Sequence, residues 1–86
     1  MSETITAERV KEEVRTRVAE LVEMDPSEVK DEADFIEELG VDSLMAIELM
    51  VALDKEYKID IPEDEFRQIK NVNQAVDVVM KHVAAA

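Results

Sequence analysis

The chain contains no cysteine, so it has no disulfide, no thiolate metal ligand and no thiol of its own for acyl transfer. Tryptophan is absent and aromatics are 3 % of the residues, against 47 % hydrophobic, so the core is built from Val, Leu, Ile, Met and Ala. Five methionines make such a core soft and easily repacked. Basic residues are scarce: 10 Lys and Arg stand against 22 Asp and Glu, a net charge of −12. That balance argues against nucleic-acid binding, where phosphates draw a surplus of Lys and Arg. It suits a basic protein partner, whose approach long-range attraction would speed. Solubility alone explains the sign of the charge, though not where the acids sit.

No hydrophobic run approaches a membrane span and the N-terminus has no apolar signal core. The expectation is therefore no membrane insertion and a soluble, cytoplasmic, monomeric protein. With one histidine and no cysteine, a nucleophile, base and orienting group cannot be assembled, which argues against an enzyme. That histidine, His82, falls near the end of the last helical stretch and reads as a surface residue rather than a metal ligand.

Eighty-six residues allow one small domain, residues 1–86, with a single modest core. Thr6 caps a first helix in which Val10, Val14, Val18, Leu21 and Val22 recur at helical spacing, ending near Glu23. Asp25-Pro26-Ser27-Glu28 reads as a capped turn, with Pro at the first position and Glu three residues after the cap. From Lys30 to Val41 periodicity lapses into a long loop, with Val29, Phe35, Ile36 and Leu39 expected to pin it to the bundle. Its acids lack the EF-hand spacing, so diffuse divalent binding is expected rather than a specific calcium site, and no metal ligands are assigned. Asp60 and Glu63 have capping-box spacing for a short third helix reaching Ile69, with Ile59, Ile61, Phe66 and Ile69 buried. Asn71, with Gln74 three residues on, caps a last helix whose inner stripe is Val72, Val76, Val79, Met80 and Val83; Ala84 to Ala86 are expected to fray. No strand-like alternation competes. The expected fold class is all-α: a small bundle of three main helices plus one short helix, with the long loop between helices one and two.

Glycine is nearly absent too, which gives the single one, Gly40, its weight. It marks a sharp turn that only a residue tolerant of positive φ makes cheaply. Directly after it, Asp42 or Ser43 can cap a second helix, since residues 44–57 contain no Gly or Pro. A hydroxyl thus sits at the positive end of a helix, where free N–H groups favour a phosphate or phosphodiester. Stepped at 100° per residue, Ala46, Leu49, Met50, Leu53 and Tyr57 form one apolar stripe, as a core requires. Leu44, Ile47 and Val51 form a second, beside Glu48 and close to Ser43 and Asp54. Either the loop covers that second stripe, or it is a binding surface whose acids select and orient a basic partner.

Leu39-Gly40-x-Asp42-Ser43-Leu44, followed by Glu48-Leu49 and preceded by a long loop, resembles the phosphopantetheine attachment site of the acyl carrier protein family. The resemblance spans nearly the whole chain. It implies that a phosphopantetheinyl transferase moves 4′-phosphopantetheine from coenzyme A onto Ser43, with Asp42 and Leu44 part of the same motif. It also implies that acyl groups then travel as thioesters between enzymes with basic surfaces, in fatty acid or related lipid synthesis. Leu44, Ile47, Glu48, Val51 and Asp54 match the family's partner-recognition surface, and a carried chain can fold into the bundle interior. Met45, Lys55 and Tyr57 depart from the usual pattern in the direction of a specialised partner set. A polyketide carrier or an aminoacyl or D-alanyl carrier remains an alternative, whereas the acidity argues against a peptidyl carrier. From another class, an acidic helical adaptor without cofactor would use the same apolar stripe.

Overall fold

In the computed structural model, which describes residues 5–85, the chain is helical throughout its regular elements: α1 (Ala7–Val22), a 3₁₀ turn (Pro26–Glu28), α2 (Ser43–Tyr57), α3 (Glu63–Phe66) and α4 (Val72–Ala85). No helix among the described residues is long and apolar enough to cross a membrane. Thr6 caps α1 as expected, its side chain accepting the Arg9 N–H at 3.2 Å. The 3₁₀ turn carries the full capping box, with Asp25 accepting from Ser27 N and Glu28 reaching back to Asp25 N.

α1 and α4 form the packed half. Val10, Val14 and Val18 of α1, and Val72, Ala75 and Val79 of α4, are completely buried. Ala75 completes the α4 stripe but did not stand out by residue type; Leu21, Val22, Met80 and Val83 pack partly buried around it. α4 is helical to Ala85, and Ala86 lies outside the described residues. Asn71 caps it by accepting the Gln74 N–H at 2.9 Å. From α2 only Leu49 and Leu53 are buried, with Ala46, Met50 and Tyr57 packed partly buried beside them.

The loop before α2 is held by backbone bonds and by a few inward side chains. Val29, Ala33, Phe35 and Val41 are buried, the Phe35 N–H donates to the Lys70 carbonyl, and the Val41 N–H donates to the Phe35 carbonyl. Ile36 departs from expectation: it is 70 % exposed and pins nothing. The cause is local. Asp34 accepts the N–H groups of both Ile36 and Glu37 at 2.9 Å, a tight side-chain-capped turn just where Phe35 points inward and its successor outward. Gly40 has φ +77°, and a Cβ there would touch nothing within 4 Å, so backbone conformation alone is what calls for glycine.

α3 is shorter than its capping-box spacing suggests. Pro62, not Asp60, occupies the N-cap position, no side chain caps the helix, and it ends at Phe66. Gln68 and Ile69 N–H then bond to the carbonyls of Glu65 and Phe66, tightening the chain so that Ile69 is still buried. Two groups on α4 tie α3 down: Glu65 Oε1 lies 3.2 Å from Lys81 Nζ, and Oε2 lies 3.2 Å from His82 Nε2. His82 is thus half-buried and paired, and its hydrogen bond, with that of Lys81, holds the Glu65 carboxyl below its usual range.

Candidate functional site

The chain reaches α2 through Gly40, and the helix opens at Ser43 with Asp42 as its N-cap. Of the two capping candidates it is Asp42 that does the work, Oδ1 accepting the Met45 N–H at 2.9 Å. Ser43 is left exposed as the first helical residue, free of capping duty and set against the positive end of a helix that runs for 15 residues. Leu44 is 68 %, Ile47 50 % and Val51 42 % exposed, so the preceding loop does not cover the second apolar stripe. Glu48 is exposed on the same side.

Asp54 stands apart from these. It is half-buried, and its Oδ1 accepts the Ile61 N–H at 3.1 Å while its carbonyl accepts from Lys58 and Ile59. One of its carboxylate oxygens therefore fixes the path of the α2–α3 connector, a task that residue spacing gave no hint of. Ile36 was missed in the opposite sense. It adds a large exposed apolar side chain, and it lines the same hollow as Ile47.

That hollow lies between the loop, α2 and α3, with a volume of about 200 Å³. Phe35, Val41, Leu49, Phe66 and Ile69 are its buried walls, and Ser43, Ile47, Glu63 and Arg67 belong to its exposed margin. Ser43 thus faces an apolar recess on one side and solvent on the other. Other depressions, beside Tyr57, along α3 and α4, and between α1 and the loop, are about 320, 680 and 580 Å³ but more open. None of these is lined by Gly40 or Ser43. The sequence offered no means of locating the recess, because what faces α2 across it comes from the unpatterned loop and from around a helix of four residues.

Comparison with known proteins identifies the family and the fold. The model of the phosphopantetheine attachment site family matches residues 12–79. An acyl carrier protein of Guillardia theta is 42 % identical over 74 residues, covering 86 % of this chain and 91 % of its own length. Polyketide-8 synthase acyl carrier protein 2 of Streptomyces avermitilis is 42 % identical over 79 residues, covering 92 % of this chain and 91 % of its own. Among solved structures, the acyl carrier protein of Enterococcus faecalis superposes with a TM-score of 0.78 over 91 % of this chain and 99 % of that one, at 23 % identity. The mupirocin didomain acyl carrier protein gives 0.79 over 91 % of this chain and 42 % of that one, at 22 % identity. At such identities the structural likeness speaks for the fold.

Proposed function

Because this chain belongs to the acyl carrier protein family, which carries acyl groups on covalently attached phosphopantetheine, we propose that Ser43 is its attachment residue and residues 1–86 a single carrier domain. The observation that carries the proposal is the position of Ser43: exposed, at the start of a helix capped by Asp42, and on the edge of an apolar recess. A phosphodiester there would meet the unpaired N–H groups and the positive end of α2. When bound, the group supplies the terminal thiol that the cysteine-free chain lacks. The protein's own part is to present the hydroxyl to a transferase, to screen part of the arm or its cargo with Phe35, Leu49, Phe66 and Ile69, and to offer a docking face. That face is Leu44, Ile47 and Val51 as contact area, with Glu48 and the outer side of Asp54 selecting enzymes of basic surface.

Within the family, the reading is a carrier for fatty acid or related lipid synthesis. A second reading, a polyketide carrier, is favoured by the equal identity to the S. avermitilis polyketide carrier and by Met45, Lys55 and Tyr57 at positions where the usual pattern differs. Intact mass after incubation with coenzyme A and a transferase tests the common core of both. The wild type should gain one phosphopantetheine and Ser43→Ala none; an adaptor without cofactor would gain nothing in either form. The acyl group found on protein isolated from its native cell then separates the two pathways.

A further inference from the structure

The margin of the recess carries one feature that the carrier role does not by itself require. Among the residues lining it, Arg67 is the single cation and Glu63 the single acid, and the rest are apolar except Ser43. Arg67 Nη2, on the residue that closes α3, lies 2.6 Å from Glu63 Oε1 at its start, with the two side chains 73 % and 62 % exposed. A pair that open contributes little net stability, so the guanidinium can change partners at little cost. A phosphodiester on Ser43 would place a new anion in the same small space. Its oxygens accept two parallel N–H bonds from a guanidinium, a geometry the single carboxylate oxygen of Glu63 does not use here. In a chain of net charge −12, with Asp42 beside the attachment point, the one cation lining the recess has every electrostatic reason to move toward that anion.

We propose that Arg67 is a clasp for the phosphodiester at Ser43, exchanging Glu63 for the phosphate once the arm is attached, and so turning the arm's first segment toward α3 and the recess. The proposal rests on Ser43 being the attachment residue. Arg67 acts on the arm and takes no part in acyl chemistry. Glu63 is the competing partner, so the two residues have opposed effects on the phosphate although they form one ion pair.

That opposition provides the test. Holo protein without acyl cargo is made as wild type, Arg67→Gln, Arg67→Lys and Glu63→Gln, with the added mass verified, and the ³¹P resonance of each is followed from low to high salt. In the wild type the resonance should shift with salt as the clasp is screened. Arg67→Gln should start at the high-salt position and stay there, and Arg67→Lys should show a reduced shift. Glu63→Gln should show a larger shift that needs more salt, because the guanidinium has lost its other partner. Identical profiles in all four proteins, or Arg67→Gln and Glu63→Gln moving the resonance the same way, would overturn the clasp, since a merely structural ion pair is broken equally by either change. Absence of the added mass in the wild type would instead overturn the assignment of Ser43, and the clasp with it.

Discussion

α1 and α2 are almost equal in length, 16 and 15 residues, yet they put their apolar side chains to different uses. α1 buries Val10, Val14 and Val18 completely against α4 and turns Glu8, Glu12 and Glu20 outward. α2 buries only Leu49 and Leu53, and holds Leu44, Ile47 and Val51 between 42 and 68 % exposed. Its neighbour α3 has four residues and no side-chain cap. One half of the molecule is therefore organised for stability, and the other leaves apolar area in water that folding alone would have covered. Such area is retained where something else is meant to cover it.

The widest separation between the two halves can be measured within α2 itself, using one residue type. Leu53→Ala should destabilise by about 3 kcal/mol, since a fully buried leucine leaves a cavity as well as losing contacts. Leu44→Ala should change stability by no more than about 0.5 kcal/mol, and should instead slow modification by a phosphopantetheinyl transferase. Urea titration of both variants checks the first pair of values. Equal costs would mean that Leu44 is covered in solution and that the comparison fails.

Next in size is the effect of charge on the exposed face. Glu48→Lys should leave the urea midpoint nearly unchanged but slow association with a basic partner enzyme roughly tenfold at low salt, and flatten the salt dependence of the rate. Stopped-flow association across ionic strength reads this directly. A rate indifferent to salt in the wild type would remove steering from the account of α2.

These two tests fall where the sequence was most readable. Strong periodicity made the valine stripes of α1 and α4 visible, and the double stripe of α2 was equally plain because fifteen residues give the pattern room to repeat. The lone Gly40 and the Asp-Ser pair likewise carried their positions in their chemistry. Where spacing lapses, so did legibility. Ile36 turned outward because one Asp34 oxygen captured two N–H groups, and no periodic template registers such a turn. Asp54 binding the Ile61 N–H, and the recess between Phe35 and Phe66, depend on how distant segments meet. Glu23 was placed at the end of the first helix, but its conformation and that of Lys58 went unnoticed: both end helices at φ 57° and 54°, the left-handed region in which glycine is the expected residue.

Those two residues provide a third comparison, this time of like conformations. Glu23→Gly and Lys58→Gly should each stabilise by up to about 1 kcal/mol, because the strained Cβ is removed from a helix terminus. Gly40→Ala should cost about 1 kcal/mol, since it imposes that same strain in open space. Thermal unfolding distinguishes the signs. If Lys58→Gly, at the C-terminal end of α2, gained nothing while Glu23→Gly gained as expected, the connector and not the helix end would be setting the conformation there.

The smallest effect concerns acid, and the two halves differ in how they meet it. In the packed half, Asp31 binds Lys11 at 3.0 Å and also Arg15, tying the loop to α1, and the hydrogen bond from Lys11, then that from Arg15, lowers its pKa. A carboxyl with a lowered folded pKa contributes stability at neutral pH, above its unfolded value, and loses it as the pH falls through the folded one. Asp31→Asn should therefore be less stable than wild type at pH 7 by less than about 1 kcal/mol, and the gap should close on acidification. Glu65, tied to His82 and Lys81, follows the same rule with the same sign for α3. Because α3 has no side-chain cap to share its restraint, the acid loss there should appear first as exposure of α3 amides to hydrogen exchange, while Asp31 moves only the global midpoint. Uniform protection in α1 and α3 as the pH is lowered would show the recess wall to be as firmly held as the valine core, and the division of the molecule into a rigid and a working half would no longer stand.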